Sequence, residues 1–218
     1  MAVSVSVGIL LAGGLSSRMG TDKALLTVPV TPDPAALDPA APNKEEQISL
    51  LSRTHQVMES AGCSDILISR NQETDNFQYI QDIYHDYGPL SGIHACLSHF
   101  ETQQDQAHNP DLGFLIVPVD MPLLSTENLA ALIQYGTESK KACYYQNTVL
   151  PCFIPNFSGL LELITRRLSN KQLSITGLLH TIRAEELPSP EKSQLINTNT
   201  PEEWKNFQGD LFPAHPNQ

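Results

Sequence analysis

Residues 11–23 read Leu-Ala-Gly-Gly-Leu-Ser-Ser-Arg-Met-Gly-Thr-Asp-Lys, and they directly follow the apolar run Val3 to Leu10. Paired glycines, hydroxyls, an arginine and a lysine after a strand of buried type are residues suited to holding phosphate. Gly13, Gly14 and Gly20 can adopt φ > 0 and let backbone N–H groups approach an anion that a Cβ would keep away. Arg18 and Lys23 bring two positive charges into the same loop. The string is not a P-loop, because G-x-x-x-x-G-K-[ST] is absent. It is not a dinucleotide fingerprint either, since G-x-G-x-x-G is absent. What remains is a nucleoside-triphosphate loop of another type, with Arg18 and Lys23 neutralising the phosphates. A second chemical position is Asp120, which closes the run Phe114–Val119 and precedes Met121-Pro122. It reads either as a strand terminator or as a metal ligand, and its placement relative to the loop favours the ligand. Asp22 and Lys23 could form a surface ion pair of little consequence. That reading is kept for Asp22 and set aside for Lys23.

These residues need a frame. Val3–Leu11 has the β-branched richness and length of a central strand buried on both faces. Further strands are expected at Ile66–Ser69, Phe77–Ile80 and Phe114–Val119. Helices are expected at Gln47–Ala61 with Gly62 as its stop, at Pro89–Phe100, and at Thr126–Tyr135 with Ser125 as N-cap. Later come a strand at Leu150–Ile154, helices near Ser158–Leu168 and Ser174–Thr181, and a short strand or turn at Leu195–Thr198. Pro201-Glu202-Glu203 opens a last helix with Thr200 as N-cap. Strand and helix alternate, which predicts a three-layer α/β/α Rossmann-like fold with a mostly parallel sheet. Ligands of such sheets sit at the carboxyl ends of the strands, and the glycine loop and Asp120 both fall there.

A chain of 218 residues suits one domain, read as 1–207 with a flexible tail at 208–218. The segment Pro29–Asn43 carries five prolines and no regular periodicity, so it reads as a proline-rich insertion, solvated or serving as a lid. The formal charge of −11 argues against non-specific binding to nucleic acid or anionic membranes. An anionic substrate then needs a local basic patch, which Arg18 and Lys23 can provide. The four cysteines are widely spaced without a C-x-x-C pair, which fits reduced thiols in a cytoplasmic protein better than a zinc site. The N-terminus lacks the basic flank of a signal peptide and is too short in apolar residues to span a bilayer. His94, Cys96 and His99 are not read as a metal site, because i and i+2 do not share a helix face. Asp86 is either a turn residue or a ligand.

The run Leu11 to Leu26, L-A-G-G-L-S-S-R-M-G-T-D-K-A-L-L, resembles the motif of the molybdenum cofactor guanylyltransferases, nucleotidyltransferases with a Rossmann-type fold. Three later stretches are similar in order: Gly88-Pro89-Leu90-Ser91-Gly92-Ile93, Val117-Pro118-Val119-Asp120-Met121-Pro122, and Asn197-Thr198-Asn199-Thr200-Pro201-Glu202-Glu203. The resemblance implies a nucleotidyltransferase moving GMP from GTP to the phosphate of molybdopterin, with release of pyrophosphate. It implies Arg18, Lys23 and Asp120 as catalytic residues and Asp120 as the ligand of Mg²⁺. Leu11, Ala12, Gly13 and Gly14 would bind the nucleotide through the backbone. Asp82 matches an acidic nucleotide position, and a carboxylate can accept from both N1–H and the exocyclic amine of guanine. Gly88, Pro89, Leu90, Asn197 and Asn199 fall at positions implied for the acceptor, although the two asparagines also suit turns and caps. Implied partners are GTP, molybdopterin or Mo-molybdopterin, and molybdoenzyme-specific chaperones.

The chain departs from the pattern in three places. The connector after Leu26 is the proline-rich insertion instead of a tight turn. Ser69, with Asn71 two residues on, stands where the family usually has a nucleotide-contacting asparagine. Residues Gln146-Asn147-Thr148-Val149-Leu150-Pro151 lack the family's basic residue, for which Arg166, Arg167 and Lys171 are the available substitutes. Competing readings are a cytidylyltransferase on the same cofactor, a nucleotidyltransferase on a sugar phosphate, and a non-catalytic GTP- or cofactor-binding relative. The cytidylyl relatives tend to carry L-A-A-G, so Gly13 favours guanine.

Overall fold

The computed structural model describes residues 5–13, 22–29, 47–72, 77–103, 111–189, 195, 197–198, 200 and 202–204. Its frame is a seven-stranded sheet. Four strands run parallel: β1 (Val5–Leu11), β4 (Cys63–Ser69), β5 (Tyr79–Ile80) and β6 (Leu112–Pro118). Three short strands extend it beyond β6: β7 (Cys143–Tyr145), β8 (Cys152–Pro155) and β9 (Glu185–Leu187). The order is β5-β4-β1-β6-β8-β7-β9, with β8 antiparallel to both of its neighbours. The central strand β1 therefore separates β4 from β6, which makes its carboxyl end the switch point where a crevice opens.

Side chains of β1 alternate between two cores, as a two-residue period demands. Leu10 and Ala12 pack with α1 (Leu50–Ser60) and α3 (Thr126–Ser139) on one face. Val7, Ile9 and Leu11 pack with α2 (Pro89–Gln103), α4 (Leu160–Ser169) and α5 (Ile175–Thr181) on the other. The three-layer α/β/α arrangement expected from the alternation of strands and helices is the one observed.

Local chemistry accounts for most boundaries. Ser125 accepts a hydrogen bond from the Asn128 amide and opens α3, and Ser174 does the same for α5 through Gly177. Gly62, at φ +106°, ends α1. The expected helix 47–61 is corrected at its start: Gln47–Ser49 is strand β3, paired antiparallel with β2 (Thr27–Pro29), and Ser49 caps a helix that begins at Leu50. Helical periodicity could not report this, because the ribbon exists only through pairing with a segment twenty residues upstream. The insertion read at 29–43 thus departs from a two-stranded ribbon, and residues 30–46 lie outside the described residues, as does the tail 208–218. At 195–198 the described positions form no strand. Thr200 and Glu203 form a reciprocal capping box, with Glu203 N–H donating to Thr200 Oγ1 and Thr200 N–H to Glu203 Oε2. All four cysteines are buried and free. No described helix is long and apolar enough to cross a membrane.

Candidate active site

Sheet register assembles the site. Leu11 stands level with Ser69 on one side and Pro118 on the other. Two residues further along each strand come Gly13, Asn71 and Asp120, all at the same sheet edge. Ser69 is also level with Ile80, two residues before Asp82. Leu11 and Ala12 are buried, and their backbone groups serve the frame: Ala12 N–H donates to Ser69 O and Leu11 O accepts from Val119 N–H. Gly13 is the first exposed position after β1.

Lys23 lies in the short 3₁₀ turn Lys23–Leu25, capped by Asp22, whose carboxylate accepts from Ala24 N–H. The Lys23 ammonium donates to Asp120 Oδ2 at 3.0 Å, joining residues 97 positions apart. Two of the three catalytic candidates, Lys23 and Asp120, therefore meet across the crevice between β1 and β6. Asp22 does not pair with Lys23, contrary to the surface-pair reading. Its partner is Arg70, with Arg70 Nη2 at 2.6 Å from Asp22 Oδ2. Asp120 is held through its own carbonyl, which accepts from Thr198 N–H at 2.9 Å.

On the β4 side, Ser69 Oγ donates to Asp82 Oδ1 at 3.2 Å, and Asn71 Oδ1 accepts from Asp82 N–H at 2.9 Å. Ser69, Asn71 and Asp82 thus form one polar cluster. Burial pushes the Asp82 carboxyl above the usual carboxylate range, while Ser69, Asn71 and His85 pull it partway back. Helix α2 begins beside this cluster, because it runs from the carboxyl edge of the sheet back to the start of β6. A Cβ at Gly92 would lie 2.3 Å from Ser69 Oγ, so the helix can approach Ser69 this closely only with glycine there. Gly88, at φ +68°, turns the chain into α2. Pro89 is exposed at the first helical position, and the Leu90 side chain is fully buried in the core. Asp86 is exposed with φ 62°, as a turn residue. Asn197 is exposed near Thr198; Gly14, Arg18 and Asn199 lie outside the described residues.

Among the substitutes for the missing basic residue, Arg167 is excluded. It is buried and donates to Thr181 Oγ1 and Ser174 O. A groove of about 460 Å³ lies by the opposite edge of the sheet, lined by Asp111, Lys140, Lys141 and Arg183 among others. Lys140 is held there by Asp111 and Lys141 by Glu185, so this groove is separate from the candidate site in both place and charge.

Two residues at the site escaped sequence reasoning, Arg70 and Thr198. Each acts on a partner 48 or more positions away, and no spacing along the chain announces such a bond.

Residues 8–169 match the MobA-like NTP transferase domain. The chain belongs to that family. A molybdenum cofactor guanylyltransferase of Xanthomonas euvesicatoria pv. vesicatoria (strain 85-10) is 28% identical over 202 residues, covering 90% of this chain and 91% of the relative. A molybdenum cofactor guanylyltransferase of Vibrio cholerae serotype O1 (strain ATCC 39315 / El Tor Inaba N16961) is 29% identical over 217 residues, covering 94% and 92%. Among solved structures, a nucleotidyl transferase from Methanothermobacter thermautotroptrophicus superposes with a TM-score of 0.63 at 12% identity, covering 97% of this chain and 99% of that one. As a MobA-like NTP transferase, the chain is a nucleotidyltransferase whose crevice carries the Lys23–Asp120 pair.

Proposed function

We propose that this chain transfers GMP from GTP to the terminal phosphate of molybdopterin, releasing pyrophosphate, as a single cytoplasmic domain over residues 1–207. The observation that carries the reading is the meeting of Lys23 and Asp120 at the switch point of the sheet, in a MobA-like NTP transferase whose relatives bear the guanylyltransferase name. In such a transfer an acceptor phosphate oxygen attacks the α-phosphorus in line and the bond to the bridging oxygen of pyrophosphate breaks. The protein must align the reactants and neutralise charge.

Lys23 suits that task because its ammonium already stands over the crevice, held by a carboxylate that a triphosphate can replace as its partner. Arg18, by sequence, adds a second cation to the same loop. The residue that would hold Mg²⁺ is Asp120, through its carboxylate, and Asp120 belongs to no group of three or more ligand-type side chains among the described residues. One carboxylate is what Mg²⁺ uses where substrate phosphates and water complete its octahedron, so the residue fits the metal. Bound there, the ion would neutralise phosphate charge as it builds on the leaving group. Ser69, Asn71 and Asp82 support the base end of the nucleotide. The Asp82 carboxylate offers two acceptors that match N1–H and the amine of guanine.

Pyrophosphate release from each of the four nucleoside triphosphates, with and without molybdopterin and Mg²⁺, tests the reading. GTP is expected to support turnover only with both present. Preference for CTP, or no metal-dependent turnover with any nucleotide, would overturn it. Asp120→Asn is expected to lower kcat by about 10²-fold or more while the thermal transition stays near that of the parent. A fully active variant would remove Asp120 from the metal.

A further inference from the structure

Arg70 follows β4 directly and is 3% exposed, a rare state for an arginine. Its guanidinium makes four hydrogen bonds to three residues. Nε donates to Gln72 O at 2.8 Å, Nη1 to Ala12 O at 3.3 Å, and the Nη1/Nη2 pair grips both oxygens of Asp22 at 3.3 and 2.6 Å. The guanidinium also lies over the Tyr79 ring, 5.7 Å from its centroid. Ala12 is the last buried residue of the β1 end, and Asp22 is the residue immediately before Lys23. One buried side chain thus ties together the two positions that flank segment 13–21 of the glycine loop. Asp22 in turn caps the 3₁₀ turn on which Lys23 sits, through Ala24 N–H.

We propose that Arg70 is the positioning residue of the nucleotide site: through the bidentate Asp22 pair and the Ala12 carbonyl it fixes where Lys23 stands relative to Asp120. The inference rests on the nucleotidyl-transfer reading. The bidentate fork explains the choice of arginine, because two parallel N–H···O bonds fix direction as well as distance, which an ammonium cannot do. The position also carries a cost. A guanidinium buried at a site edge has to be matched by its counter-ion, and Asp22 is that ion. Arg70 reaches the phosphates only by way of Lys23, so its loss should register on the triphosphate and leave the base contacts alone.

The test is equilibrium binding of the preferred nucleoside triphosphate and of the matching nucleoside to the full chain, without acceptor. It is run on Arg70→Lys, on Asp22→Asn, which keeps the shape of the counter-ion, and on each combined with Lys23→Ala. Arg70→Lys and Asp22→Asn are each expected to weaken triphosphate binding about tenfold or more, with nucleoside affinity within about twofold of the parent. In the Lys23→Ala background the same changes are expected to add little, because the residue through which they act is gone. Equal weakening of nucleoside and triphosphate, or full additivity with Lys23→Ala, would overturn the proposal and leave Arg70 a packing residue. Should the parent chain bind CTP or another nucleotide best, the guanylyl reading fails and the clamp is tested unchanged on that nucleotide. Should it bind none, both fail together.

Discussion

Ser69 and Asn71 surround the Asp82 carboxyl with hydrogen-bonding groups, yet burial still holds its pKa above the ordinary value of 3.8. The unfolded chain then ionises this carboxyl at lower pH than the folded one does, so folding stability falls as pH rises through the raised folded value. Ionising Asp82 is therefore a net cost to the fold, as expected where a site is kept for binding. Asp82→Asn is therefore expected to match or exceed the parent Tm at pH 7, with the gap closing towards pH 4, while nucleotide affinity drops about tenfold or more for loss of a charged acceptor. Thermal scans across that range, paired with binding, check it; a variant less stable at pH 7 than at pH 4 relative to the parent contradicts the sign. At this scale the chain was partly legible. Lys23 and Asp120 could be named because loop chemistry and a strand end mark them, whereas Asp82 was named only through the resemblance to the family's motif. Arg70 could not, since an arginine after a strand reads as a solvated residue until its distant counter-ion is seen. The cysteines were read correctly as unpaired, and burial pushes the Cys63 and Cys143 thiols up to about 12.

Elements with strong local chemistry matched their sequence readings, and those defined by pairing did not. Strand β1 and helix α3 announce themselves by an apolar run and a serine cap. Strands β7 and β9 are three residues each, and β9 carries Glu185 and Glu186, so neither shows an alternating pattern long enough to detect. The ribbon β2/β3 is the clearest case, because its arms face each other with Pro29 opposite Gln47 at the open end. A two-residue Asn-Gly turn suits that spacing in an antiparallel pair. Replacing residues 30–46 by Asn-Gly is thus expected to keep the fold, with Tm within about 4 °C of the parent, equivalent to about 1 kcal/mol at this size. Steady-state kinetics on the shortened chain then separate a passive insertion, with unchanged kcat and KM, from one that serves the reaction.

Across the whole molecule, the sheet gathers its chemistry at one edge from segments far apart in sequence, and the last of these is the stretch around Thr198. The Thr198 amide caps the carbonyl of Asp120, and its side chain is almost fully buried. Thr198→Pro removes the donor and leaves that carbonyl without it, which is expected to cost about 1–3 kcal/mol in denaturant unfolding. It should also lower kcat, because the residue it loosens is Asp120. A variant as stable and active as the parent would show that β6 holds Asp120 unaided. The fold class was legible from alternation of strands and helices, whereas this closure was not, since Asn197-Thr198 reads locally as a turn. The same closure has an optical consequence. Trp204, the single tryptophan of the chain, is buried in the core that holds Val119 and Met121 on either side of Asp120. Its emission therefore reports whether the C-terminal stretch is seated in the core that flanks Asp120, so the chain carries its own fluorophore for watching that seat respond to each candidate substrate in real time.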